Sequence, residues 1–124
     1  MSLTGTSRIY GILGDPVAHS LSPLMQNQAF RSLAIDAIYV PFHVIAEQLP
    51  QAIEGLRALD VAGVNLTIPH KEAVLPLLDQ IDAGAALIGA VNTVVNRQGR
   101  LIGYNTDGLG FLRSAEQELD YHPR

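Results

Sequence analysis

Short apolar runs with β character recur five times along this chain, and segments with helical spacing separate most of them. That alternation constrains the fold more than any other feature. Parallel strands need a crossover connection between them, and a helix is the usual way to supply it. The runs are Arg8 to Leu13 (RIYGIL), Ala37 to Val44 (AIYVPFHV), Val64 to Ile68 (VNLTI), Ala90 to Val95 (AVNTVV) and Leu101 to Asn105 (LIGYN). Ser22-Pro23 opens a helix, with Ser22 as N-cap and Pro23 at the first helical position. Met25, Ala29 and Leu33, joined by Phe30 and Ala34, form its apolar stripe. Leu49, Ile53, Leu56 and Leu59 mark a second amphipathic helix. Helical segments follow from about His70 to Ile88, broken or restarted at Pro76 and Gly84. Asp107 to Leu119 reads as a closing helix. Pro41 lies inside the second run and cannot donate to a ladder, so that strand belongs at a sheet edge or a bulge. The Gln98-Gly99 link is too short for a crossover, so the last two strands form an antiparallel hairpin. The expected fold is α/β: a three-layer domain with a mostly parallel, mixed β-sheet of five to six strands covered by helices on both faces.

Composition narrows the function. A chain of 124 residues is one domain by size and can bury a core. With 48% hydrophobic and 16% charged residues, its make-up is globular. A net charge of −4 offers no basic face to nucleic acid or anionic lipid. No cysteine is present, which removes disulfides and thiolate metal sites. No apolar run approaches the roughly 20 residues of a membrane span. The opening MSLTGTSR is polar, unlike a signal peptide, so a cytoplasmic protein is expected. The four histidines are scattered without metal-ligand spacing, and no metal site is expected. Neither Gly11-Ile12-Leu13-Gly14 nor Gly108-Leu109-Gly110 completes a dinucleotide fingerprint, and no P-loop or nucleophile elbow appears.

Several polar residues sit where such a fold binds ligands. Asn65 and Thr67 alternate with Val64, Leu66 and Ile68, so both face one side of an apolar strand, at its carboxyl end. Either a neighbouring loop satisfies them or a ligand does. Lys71 is the only lysine and falls in the first turn of the next helix. A cation there faces the positive end of the helix dipole, which costs typically ~0.3–1 kcal/mol, and a surface lysine or a functional one would both fit the position. Asp107 follows the last strand, where it reads as a helix N-cap or as the partner of Lys71. Ser20 and Ser22 present hydroxyls on one side of a helix entry, a setting that suits a carboxylate. Asn92 lies within the fourth run, as a ligand contact or a bond to the adjacent strand.

Four blocks taken together resemble the shikimate dehydrogenase family: His19-Ser20-Leu21-Ser22-Pro23, Asn65-Leu66-Thr67-Ile68-Pro69-His70-Lys71, Gly89-Ala90-Val91-Asn92-Thr93 and Gly103-Tyr104-Asn105-Thr106-Asp107-Gly108-Leu109-Gly110. The resemblance spans about Ile9 to Leu119 and shows no departure within the blocks. It implies reversible reduction of 3-dehydroshikimate to shikimate with NADPH, in aromatic amino acid biosynthesis. It implies Lys71 and Asp107 as the catalytic pair. Ser20 and Ser22 would hold the substrate carboxylate, and Asn65, Thr67, Lys71, Asn92 and Asp107 the ring hydroxyls. NAD-dependent quinate/shikimate dehydrogenases are near relatives, and keeping both serines leans towards shikimate. A shikimate-binding module without catalysis is the rival from another class.

The resemblance also implies a second, NADP-binding Rossmann domain. The expectation for residues 1–124 is therefore a substrate-binding catalytic domain with that cofactor domain absent and with no cofactor-binding residue of its own. Such a chain alone would be inactive. A small-molecule substrate is the partner expected; a homodimer is compatible with the reading.

Overall fold

The computed structural model describes residues 2–106. Its strands are β1 (Arg8–Gly14), β2 (Ala37–His43), β3 (Gly63–Leu66), β4 (Gln80–Ile81), β5 (Thr93–Arg97) and β6 (Arg100–Tyr104). Its α-helices are α1 (Ser22–Ser32), α2 (Leu49–Ala58), α3 (His70–Ala73) and α4 (Ala83–Ile88), with single 3-10 turns at Ala46–Gln48 and Leu75–Leu77. The six strands form one sheet in the order β2-β1-β3-β5-β6-β4.

β1 pairs in parallel with β2 and β3, and β4 with β6, while β5 runs antiparallel to both of its neighbours. The α/β class, the mixed sheet and the β5-β6 hairpin agree with the sequence reading. β2 is an edge strand, as Pro41 requires.

Two features of the path differ from that reading. The stretch read as helical from His70 to Ile88 contains strand β4, and the helices flanking it have four and six residues. β4 is only two residues long and lies at the far edge beside β6. A strand so short has no periodicity of its own to read. Its insertion lets the chain return to β3 in the opposite direction, which is why the β3-β5 pair is antiparallel rather than a third parallel crossover.

Helices cover opposite faces of the sheet. Leu13, Val64, Leu66 and Val94 share a core with Leu49, Ile53 and Leu56 of α2, together with Val74, Ala85, Val91 and Leu101. Residues one step away in each strand must face the other side. Tyr10 does so and meets Phe30 of α1, ring centroids 5.7 Å apart. Asn65 and Thr93 therefore share that α1 side.

α1 does not bury the stripe expected of it. Met25 and Leu33 are 63% and 69% exposed, and Ala29 is exposed as well. Of that stripe the helix turns Phe30 inward, together with Pro23 and Asn27. The polar Asn27 sits on the packed face because the edge of β2 needs its hydrogen bonds: Tyr39 N–H donates to Asn27 Oδ1 (2.9 Å) and Asn27 Nδ2 donates to Tyr39 O (2.8 Å). In α2 the stripe of Leu49, Ile53 and Leu56 is buried, while Leu59, expected with it, lies past the helix end and is 74% exposed.

Candidate functional site at a polar edge of the sheet

The carboxyl ends of β1, β2, β3 and β6 and the amino end of β5 all reach the same edge of the sheet, as the pairing directions require. Backbone bonds tie the segments that leave this edge. Val44 N–H donates to Gly14 O (3.0 Å), Asp15 N–H to Ile68 O (2.9 Å), Thr67 N–H to Leu13 O (3.0 Å), Leu66 N–H to Asn92 O (2.9 Å) and Asn92 N–H to Tyr104 O (3.0 Å). Val91 N–H donates to Lys71 O (2.9 Å), which fixes the start of α3 against the approach to β5.

Ser20 and Ser22 stand on the exit from β1. Ser22 is the first residue of α1 and not its N-cap; Leu21 holds that position without a side-chain bond. The hydroxyl of Ser20 takes the capping role, accepting from Ser22 N–H (3.2 Å). Ser20 O–H is thus left free to donate outward.

Asn65 and Thr67 behave differently from each other. Asn65 is held within the fold: its Oδ1 accepts from the Tyr39 phenol (2.8 Å), and its Nδ2 donates to Thr93 Oγ1 (3.2 Å) and Asn92 O (3.4 Å). Thr67 packs its methyl over Gly14, where an added Cβ would stand 2.2 Å from Thr67 Cγ2. Its hydroxyl makes no hydrogen bond to the described residues.

Asn92 also has structural bonds. Its Oδ1 accepts from Thr93 O–H (3.0 Å) and Thr106 N–H (3.2 Å), and its Nδ2 donates to Thr106 Oγ1 (2.9 Å). It therefore ties the start of β5 to the residue that precedes Asp107. Asp107 itself, and the closing helix expected from it, lie outside the described residues.

Lys71 is exposed, in the first turn of α3, and its ammonium has no ion-pair partner among the described residues. Since α3 is a single turn, the dipole opposing this cation is smaller than that of a full-length helix. His70 beside it is fully buried and bonds Val44 O through Nε2 (2.6 Å), anchoring α3 to the end of β2.

The edge thus gathers Ser20, Ser22, Asn65, Thr67, Lys71 and Asn92 from segments far apart in sequence. Sequence reasoning missed Tyr39 and Thr93. Both lie in β-compatible runs where nothing marks them except their parity with Asn65 across the sheet. Tyr39 is 4% exposed; burial raises its pKa above 10.0, an effect partly offset by the Ser22 hydroxyl, which favours the phenolate.

A dinucleotide cradle is not among the features of this edge. Gly11 and Gly14 lie inside β1, and their bare Cα atoms serve close packing: a Cβ at Gly11 would meet Phe42 Cε2 at 2.5 Å and Val40 O at 2.6 Å. They do not open a helix towards a pyrophosphate, so this glycine pair does not fit the pyrophosphate of NADP. Among the described residues no group of three His, Cys, Asp or Glu side chains could hold a metal ion, and no helix is long and apolar enough to cross a membrane.

Known proteins resemble this chain in sequence and in fold. Residues 12–94 match the family model described as the shikimate dehydrogenase substrate binding domain. The NADP(+) shikimate dehydrogenase of Geobacter metallireducens is 56% identical over 99% of this chain and 43% of its own length. The crystal structure of a Listeria monocytogenes shikimate 5-dehydrogenase, in complex with shikimate and NAD, superposes with a TM-score of 0.85 at 39% identity, over 98% of this chain and 42% of that one. A ligand-free 5-ketofructose reductase of Gluconobacter superposes with a TM-score of 0.83 at 40% identity, over 92% of this chain and 41% of that one. The chain thus spans well under half the length of these proteins. Its match to the substrate-binding model, its polar strand edge and its identity to curated members place it in the shikimate dehydrogenase family.

Proposed function

We propose that this chain is the substrate-binding, catalytic part of an NADP-dependent dehydrogenase that interconverts 3-dehydroshikimate and shikimate. The observation that carries the proposal is the convergence at one strand edge of two serines, two amides, a threonine and the sole lysine, with the Thr67 hydroxyl and the Lys71 ammonium lacking partners among the described residues. A substrate bearing a carboxylate and a triol needs this mixture of donors and acceptors on rigid elements.

In this reading Ser20 donates its free O–H to the carboxylate, and Ser22 adds a second hydroxyl from the first turn of α1. Asn65, Thr67 and Asn92 hold ring hydroxyls. Asn92 keeps one amide hydrogen beyond that used inside the fold, and Asn65, with both hydrogens taken, keeps a lone pair on Oδ1, so each orients the ligand without giving up its structural bonds. Lys71 transfers a proton at the oxygen of the reacting carbon, and Asp107 orients it and bonds the same region of the substrate. NADP is the cofactor proposed for the whole enzyme and would be held by a Rossmann domain outside the described residues; in the reading proposed, hydride chemistry belongs to it.

Calorimetry, or a heteronuclear NMR titration with shikimate, tests the substrate assignment. Millimolar binding is expected, with Ser20→Ala and Thr67→Val each weakening it by up to about 1.5–3 kcal/mol if the bond removed is charge-assisted, less if neutral. A folded chain that shows no response at millimolar shikimate would refute the assignment. The similarity to a 5-ketofructose reductase names the competing ligand class, so 5-ketofructose belongs in the same titration; tighter binding of that ketose would replace shikimate as the substrate.

A further inference from the structure

Tyr39 occupies an unusual place in the fold. Its backbone is on edge strand β2, where both its N–H and its carbonyl are taken by the side chain of Asn27. Its phenol crosses over β1, the strand between β2 and β3, and donates to Asn65 Oδ1 on β3 (2.8 Å). A buried phenylalanine would fill the same space; the hydroxyl must be hydrogen-bonded to be tolerated at 4% exposure.

That single bond settles the orientation of the Asn65 amide. With Oδ1 facing a donor, Nδ2 must face Thr93 Oγ1 and Asn92 O, which both accept. Thr93 in turn spends its own hydrogen on Asn92 Oδ1, and that oxygen also receives Thr106 N–H. The polar relay therefore runs from Tyr39 through Asn65, Thr93 and Asn92 to the residue before Asp107, with every donor direction following from the first. At its other end Tyr39 is coupled to α1, which carries Ser22 and Asn27.

We propose that Tyr39 is a positioning residue of the ligand site: its phenol sets which way the Asn65 amide faces and leaves Oδ1 one lone pair to accept from the ligand, and its clamp by Asn27 fixes α1, with Ser22, relative to β3. This rests on the reading that Asn65 and the serines hold shikimate. Tyr39 touches no substrate atom in this account; it acts through Asn65.

The test is a double-mutant cycle read by shikimate titration of the 124-residue chain. Tyr39→Phe is expected to weaken binding about three- to tenfold, the scale of one buried hydrogen bond. In an Asn65→Ala background the same substitution should change affinity less than about twofold, because the group it acts through is gone, whereas with Ser20→Ala the two losses should multiply. A general loss of packing would instead weaken binding in every background alike. The ligand-free chain supplies a second readout: Tyr39→Phe should move the side-chain amide resonances of both Asn65 and Asn92. If wild type binds shikimate and Tyr39→Phe binds it equally, or if its effect is undiminished without Asn65, the positioning role is overturned alone. A folded wild type blind to shikimate overturns the functional reading and this role with it.

Discussion

Substituting Gly14 by alanine tests whether the end of β1 is as tightly built as the geometry states. The new Cβ would lie 2.2 Å from Thr67 Cγ2, 2.9 Å from Val17 Cγ1 and 3.3 Å from Pro16 O. Val17 is half-buried on the loop beyond β1 and can give way; Thr67 cannot move freely. Its N–H is held by Leu13 O and its carbonyl by His70 N–H, so its methyl must leave its rotamer or the end of β3 must shift by over an ångström. Overpacking of this kind costs typically ~1–3 kcal/mol. The backbone of Gly14 is not left-handed, so alanine also restricts the unfolded chain and returns about 0.4–1 kcal/mol. The net expectation is a loss of about 1–2 kcal/mol, or roughly 5–15 °C in Tm for a domain of this size. Urea unfolding followed by circular dichroism measures it. Thr67→Ser removes the clashing methyl: it should cost up to ~1 kcal/mol in the wild type and little or nothing beside Gly14→Ala. Stability of Gly14→Ala within about 0.5 kcal/mol of wild type, or a Thr67→Ser cost that is the same in both backgrounds, would refute the packing argument.

Other expectations follow from single groups. The Leu101 N–H, with Arg57 beside it, lowers the pKa of the Asp79 carboxyl below 3.8, so its contribution to stability is present above that value and is lost as pH falls through the lowered one. Asp79→Asn should therefore flatten the stability profile below about pH 4, as measured by denaturant midpoints; an unaltered acid limb would contradict this. Asn96→Ala leaves Val61 O and Gly99 N–H without the side-chain bonds of 2.9 and 2.8 Å they now make, and should lower the unfolding free energy by at least about 2 kcal/mol. The chain by itself, mixed with NADP and shikimate, should show no nucleotide reduction by absorbance, since the described residues offer no nucleotide cradle; turnover abolished by Lys71→Ala would refute that.

How much of this was legible in the sequence differs from residue to residue. Asn65 and Thr67 stand out because they interrupt an apolar pattern at a strand end, Lys71 because it is the sole lysine and falls in a helix's first turn, and the edge position of β2 stands out in Pro41. Ser22 was misplaced as a cap because Ser and Pro at a helix start look the same whether the hydroxyl bonding the first turn is Ser22's own or that of Ser20 two residues earlier. The inward face of α1 departs from its apolar stripe because Asn27 lies on it; its amide bonds a strand edge, which the apolar period cannot report. The direction of β5 hung on β4, two residues inside a stretch of helical composition. Tyr39 was hidden for a simpler reason: an aromatic in a strand looks alike whether its hydroxyl meets water or an amide two strands away.

The manner in which the sheet ends bears on how copies of this chain behave at high concentration. Along β2 the backbone groups that look outward belong to Ala37, Tyr39, Pro41 and, at its very end, His43. Ala37 N–H is turned back on Ile35 O (2.9 Å), Asn27 occupies Tyr39, and Pro41 has no N–H to offer. At the opposite margin β4 is too brief to template a neighbour. An added strand from another molecule would find no run of vacant donors and acceptors to zip onto, which is how natural sheets escape fibrous growth. Removing the amide with Asn27→Leu would reopen the Tyr39 position, and the harm would show first as concentration-dependent light scattering.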